Sequence, residues 1–239
     1  MTAPQPRVPG VLATTGTIAA LTLTRILRGR ALWVGALIAL MPVVFATLLR
    51  AYDRPPYGML QDLLTFEQLL LAVLPALFVA AAIGEDIEDR TTTYVWSRPI
   101  PRWTVLAGKL VTLVPIVAAF VIASWAVASQ VGPQIGPSAA SIGALAAGAV
   151  GISMIAATIG TLVPRHGMAL TICYMLFFDL PVGLLPGTLK ELSVSHHVRM
   201  IADVVEQHAE SPQLAGLGIA IISAVWLAIA LLRIRRLEA

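Results

Sequence analysis

The residues able to do chemistry are few: thirteen carboxylates, four histidines and one cysteine, Cys173, in 239 residues. A lone cysteine excludes a disulfide framework and any cysteine-based zinc site. His166 stands alone, while His196, His197 and His208 lie near Asp203 and Glu206. No two histidines sit at i, i+4 on one helix face, so solvated loop histidines explain them better than metal ligands do. Gly108-Lys109 lacks the upstream glycine and following Ser/Thr of a phosphate-binding loop, and no H-E-x-x-H is present. Ser153 has neither the second glycine nor a nearby base that a nucleophile requires. Asp179 is different. It sits inside a long apolar run, about 16 Å along a helix from Met168 at ~1.5 Å per residue. A charge at that depth of a membrane is costly and marks a function by default. Equally, two residues before Pro181, its carboxylate can cap a helix that restarts after a break.

The elements that must position these residues belong in a membrane. Apolar residues make up 58% of the chain and charged residues 12%, and the mean hydropathy is +0.85. A soluble domain is about one quarter charged, so an ordinary soluble enzyme and a disordered chain are both excluded. No basic block points to nucleic acid. Crossing a bilayer takes about 20 apolar residues in a helix, and six uncharged runs qualify: Ala31–Leu49; Gln68–Ile83 with a turn from Leu63–Phe66; Leu110–Val131; Ala139–Val163; Gly167–Gly187; and Leu214–Leu232. Open sheet edges are not tolerated in lipid, and the runs are too evenly apolar for barrel strands. The expectation is an all-α protein of six transmembrane helices.

Basic residues orient it. With a cytoplasmic N-terminus, that side holds Arg7, Arg25, Arg28, Arg30, Arg90, Arg98, Arg102, Lys109, Arg165, Arg233, Arg235 and Arg236, leaving Arg50, Arg54, Lys190 and Arg199 outside. Both termini are then cytoplasmic. The first run follows a basic stretch and continues for a full span, unlike a cleaved signal. Residues 1–30 divide from the membrane domain 31–239 as a cytoplasmic tail, disordered over 1–15, and a short interfacial helix over 16–30. In that helix Leu23, Ile26 and Leu27 face lipid while Arg25 and Arg28 face headgroups or water; simple anchoring of the first span by Arg25, Arg28 and Arg30 is the competing reading. Outside, Arg50–Thr65 is a moderate loop, Gly132–Ser138 a tight turn with two prolines, and Thr188–Gln213 a long loop. Within the long loop Val194, Val198, Ile201 and Val205 form one apolar helical stripe, expected to lie on the membrane or cover the outer end of the bundle. Ala144/Gly148, Ala147/Gly151 and Ala156/Gly160 are small-xxx-small pairs for close packing, within the subunit or across a dimer.

Gly84–Lys109, between the second and third spans, reads GEDIEDRTTTYVWSRPIPRWTVLAGK. Thr91 is a plausible N-cap for a short helix over Thr92–Ser97, which Pro99 and Pro101 stop. Tyr94, Val95 and Trp96 are then apolar side chains on a cytoplasmic element. A solvated loop explains the arginines; a protein partner also explains the aromatics.

This segment resembles the permease subunits of ATP-binding-cassette transporters of the type-2 exporter family. The resemblance rests on Glu85, Asp86, Glu88 and Asp89; Thr91; the helix around Tyr94, Val95 and Trp96; Ser97-Arg98-Pro99-Ile100; Arg102; and Gly108-Lys109. Arg25-x-x-Arg28-x-Arg30 before the first span is also similar to the family. Arg90 stands where the family usually has glycine. The detailed match covers about 30 residues, and the six-span layout the whole chain. The resemblance implies that this chain forms half of a translocation path with a second permease chain, identical or different, in the bacterial plasma (inner) membrane. It implies two copies of a separate ATPase subunit docked on the short cytoplasmic coupling helix, with ATP and magnesium in that partner and none in this chain. Glu85, Asp86, Glu88, Asp89, Arg90, Thr91, Tyr94, Val95, Trp96, Arg98 and Arg102 would contact the ATPase, and Asp179 is a candidate for the path. A non-transporting scaffold or assembly factor, and an intramembrane enzyme using Asp179, are the alternatives.

Overall fold

The computed structural model describes residues 10–52, 55–88, 102–202 and 211–236, which are overwhelmingly helical with no strand among them. Helix α1 is Val11–Arg28, α2 Arg30–Ala51 and α3 Pro56–Glu88. Helix α4 is Arg102–Val131 and α5 Ala139–Leu162. Helix α6 starts at Gly167–Tyr174, passes through a π turn at Met175–Asp179 and ends with Leu180–Val182. Helix α7 is Val194–Ala202 and α8 Pro212–Arg236. Five of these (α2, α3, α4, α5 and α8) are long and apolar enough to cross a membrane. Their outer faces are apolar: Trp33, Leu37, Val44 and Leu48 on α2 and Leu214, Leu217, Ile221 and Val225 on α8 are exposed. An aqueous surface does not tolerate such stripes and a lipid-facing one requires them. The chain is a helical, multi-pass membrane protein.

Several boundaries differ from those drawn on uncharged runs. Helix α3 is 33 residues long, so Pro56–Thr65 is helix and not loop; Pro56 at its first turn fits because that N–H has no helical partner anyway. Pro75 removes a donor and crowds the carbonyl one turn back, and the helix absorbs this in a π turn, Ala76–Ala80, before Ala81–Glu88. Helix α4 begins at Arg102, a full two turns before Leu110, and runs unbroken through Pro115. Helix α1 begins at Val11, so residues 11–15 are ordered helix; it packs on α4, with Thr112 Oγ1 donating to the Ala19 carbonyl at 3.1 Å. Ile26 is buried against protein, while Leu23 and Leu27 are exposed. Helix α5 starts where expected, Ser138 Oγ capping it by accepting from Ser141 N at 3.0 Å.

Contacts across the bundle fix the heights of the helices. At one end, which carries Arg28, Arg165 and Arg233, a Cβ built on Gly84 would lie 2.5 Å from the Pro164 carbonyl oxygen. One on Gly160 would lie 2.9 Å from the Ala80 carbonyl oxygen. Midway along α5, Gly151 meets Val194 of α7 and Ile219 of α8, and nearer the other end Gly148 meets Val198 and Leu71. The small face of α5 therefore packs within this chain, against α3, α7 and α8.

Helix α6 covers only residues 167–182, roughly 24 Å at ~1.5 Å per residue, short of a ~30 Å hydrocarbon core. The chain then turns, and α7 begins at the level of Gly151, in the middle of the bundle. The stripe Val194, Val198 and Ile201 does not lie on the membrane: Val194 and Val198 are fully buried and Ile201 half-buried. Val205 lies outside the described residues.

Candidate functional site

Two polar constellations are held inside this apolar frame. The first surrounds Asp179, which is fully buried in the π turn of α6. A helix begins with main-chain N–H groups that have no partner within it. In α7 each of the first three has one from outside. Val194 N donates to Asp179 Oδ1 at 2.9 Å and Ser195 N to Oδ2 at 3.0 Å. His196 N donates to Ser193 Oγ at 3.1 Å. The Ser195 hydroxyl adds a short bond to Oδ2, and Ser193 Oγ donates to the Asp179 carbonyl at 2.8 Å. A carboxylate at a helix N-terminus also meets the positive end of the helix dipole. Asp179 thus caps a helix, but one that starts fifteen residues later rather than one restarting at Pro181, through which α6 continues without a break.

Helix α7 is locked from its other sides. Gln68 Nε2 on α3 donates to the Ser195 carbonyl at 2.9 Å, and Arg199 Nε reaches the same carbonyl at 3.3 Å. His196 and His197, expected to be solvated, are buried because their segment folds into the bundle. His197 Nε2 donates to the Glu191 carbonyl at 2.9 Å. Among the described residues no three His, Cys, Asp or Glu side chains gather as a metal site. His208, Asp203 and Glu206 lie outside the described residues.

Asp179 is not alone as a buried carboxyl. Glu67 on α3 is also fully buried, with Ser124 Oγ of α4 donating to Oε2 at 3.4 Å and no partner for Oε1. Dividing the sequence into uncharged runs hid it, because the run was cut at that position. The signal was there: Glu67-Gln68 is a polar pair inside what is otherwise an apolar helix.

The second constellation sits at the arginine-rich end. Arg25 of α1 pairs with Glu85 at 2.8 Å and approaches Asp86 at 3.7 Å. Lys109 of α4, nearly buried, bonds both Asp86 and the Ala82 carbonyl. Three helices are tied together: α1, the end of α3 and the start of α4. Glu85 and Asp86 are thereby engaged within the chain. Arg28 and Arg30 flank the α1–α2 junction at Gly29, Glu88 is exposed at the end of α3, and Arg102 opens α4. Asp89, Arg90, Thr91, Tyr94, Val95, Trp96 and Arg98, with the short helix expected over Thr92–Ser97, lie outside the described residues. Lys109, which the sequence offers as one of the cytoplasmic basic residues and as part of Gly108-Lys109, is here the ion-pair partner of Asp86.

No protein-family model matches this chain, and no curated protein matches it.

Proposed function

We propose that this chain is the membrane-spanning subunit of an ATP-driven exporter. Two such chains, identical or different, form the translocation path, and a separate ATPase supplies the energy. Both termini and the arginine-rich end face the cytoplasm, in the plasma membrane of a bacterium, and α6 with α7 takes the place of the fifth of the six expected spans. The observation that carries this reading is the ion-paired frame Arg25–Glu85, Arg25–Asp86 and Lys109–Asp86. It grips both stems of the aromatic, proline-ended segment 89–101, the end of α3 and the start of α4. A partner that pulls on that segment pulls on two membrane helices and on α1 together, which is what coupling to an ATPase requires.

Catalysis by Asp179 is poorly supported, because both carboxylate oxygens already accept hydrogen bonds from α7. The test is co-purification with an ATPase encoded beside this chain. Tyr94→Ala with Trp96→Ala should weaken docking by roughly thirtyfold or more, the ≥ ~2 kcal/mol of a lost aromatic hot spot. Glu88→Lys with Asp89→Lys should weaken it less and make it salt-sensitive, as rim charges do. If the double alanine variant retains the ATPase and its stimulated hydrolysis at wild-type levels, segment 89–101 is not the docking element. If no ATPase co-purifies with the wild-type chain, a non-transporting scaffold becomes the better account.

A further inference from the structure

An apolar groove of about 430 Å³ opens on the outer face of the bundle where α5, α6 and α8 meet. Its walls include Ile159, Leu162, Leu170, Cys173, Phe177 and Trp226. Tyr174 and Trp226, which also line it, meet edge-on at 5.6 Å. In a membrane protein a slot of this kind on the lipid-facing surface admits a hydrocarbon chain.

The end of the groove is not neutral. Val163 lines it, and Arg165 follows two residues later in the 3₁₀ turn Pro164–His166, exposed. On α8, Arg233 stands seven residues beyond Trp226, two turns along the same face and roughly 10 Å toward the arginine-rich end. Its Nε is shielded from solvent and has no hydrogen-bond partner. Among the described residues neither arginine is ion-paired, and Glu85 and Asp86 at this end are turned to Arg25 and Lys109. A guanidinium Nε shielded from solvent and without an acceptor, a second arginine with no ion pair among the described residues and an adjoining apolar slot together describe a ligand with a phosphate and a long chain. Planar guanidinium groups match phosphate oxygens well, and basic pockets between membrane helices hold anionic headgroups.

We propose that this groove is a binding site for an anionic phospholipid. One acyl chain lies between Leu162, Phe177 and Trp226, and the phosphate is held by Arg165 and Arg233. The site is independent of the transport reading, since nothing in it involves segment 89–101.

Cys173, the chain's one cysteine, is exposed in the groove wall and takes a small fluorophore as reporter. The labelled protein is reconstituted in phosphatidylcholine vesicles, and quenching is compared for brominated phosphatidylglycerol and brominated phosphatidylcholine. At about fivefold per arginine near a headgroup, the anionic lipid should quench at a mole fraction roughly 25-fold lower. Arg165→Gln with Arg233→Gln should abolish the preference. Arg235→Gln with Arg236→Gln removes the same charge from the same end and should leave it intact. Leu162→Trp fills the slot with both arginines present and should also abolish it, which decides the matter should the arginine variant fail to assemble. Equal quenching by the two lipids overturns the proposal. So does equal loss in the two arginine pairs, which would mean general surface charge. Disulfide cross-linking of Cys173 between copies without lipid quenching would show that a second copy covers the groove, and overturns it too.

Discussion

Replacing Asp179 with asparagine tests the central lock of the bundle. At an ordinary N-cap the two residues are interchangeable, because one side-chain oxygen accepts one N–H. Here both oxygens accept main-chain N–H groups, from Val194 and from Ser195. Asparagine offers one oxygen and one NH₂, so in either orientation its amide confronts an N–H donor. The variant loses a hydrogen bond to a charged acceptor, about 1.5–3 kcal/mol, and strands a buried donor, about 1–3 kcal/mol. It also forfeits up to ~1 kcal/mol with the helix dipole. Relief from burying a charge offsets part of this. The expected net loss is about 2–4 kcal/mol, a fall in Tm of roughly 4–16 °C for a chain of this size. The assays are thermal unfolding in detergent and amide hydrogen exchange over Val194–Ala202, where protection should fall most. An asparagine variant with wild-type Tm and wild-type exchange in α7 would show that the carboxylate does not hold this helix, and the argument from bidentate capping would fail.

Three further outcomes are expected. Lys109→Gln should destabilise by about 1–3 kcal/mol by leaving Asp86 with a weaker partner, and a double-mutant cycle with Asp86→Asn should recover a coupling energy of at least ~0.5 kcal/mol; strict additivity would remove Lys109 from the frame. Gly160→Val should prevent assembly, because its Cβ would sit 2.9 Å from the Ala80 carbonyl oxygen, whereas Gly143→Ala, with nothing within 4 Å, should be tolerated; gel filtration in detergent distinguishes them. Cysteines placed at Tyr57 and at Arg165 in a Cys173-free background should label from opposite faces of the membrane, Arg165 from the cytoplasmic one; labelling from one face refutes the arrangement.

The helical membrane character was legible because the physics behind it is local: long apolar runs leave a chain nothing else to do in lipid. The ends of the helices were less legible, for a reason Glu67 and Lys109 illustrate. A charge interrupts an apolar run, but it does not interrupt a helix. Lys109 continues α4 because Asp86 and the Ala82 carbonyl receive its ammonium, and that acceptor set comes from another helix. The run Gly167–Gly187 errs in the opposite direction, its apolar length exceeding the helix that forms there. Helix α7 was visible as a stripe, yet its depth depends on Asp179, a contact across the turn that no periodicity encodes. The same contact explains why His196 and His197 looked like surface residues and are buried. The cluster at Arg25, Glu85 and Asp86 was half legible. The charges were singled out by the resemblance of their pattern to a known family, but their partners only by the packing of α1 on α4.

The π turn at Ala76–Ala80 has a bearing on the timing of the whole long helix. A π turn accommodates one residue more than an α turn, so everything after it is rotated about the axis by roughly 100° relative to an uninterrupted α-helix. With that extra residue, Glu85 and Asp86 face Arg25 and Lys109 while Glu67 and Gln68, upstream, face Ser124 and α7. Without it the two ends of α3 would be out of phase by more than a quarter of a turn, and the two clusters could not both meet these partners. The turn works as a phase adjuster. Converting this segment to regular α-helix would require its arginine-facing end to swivel against the rest by that same angle.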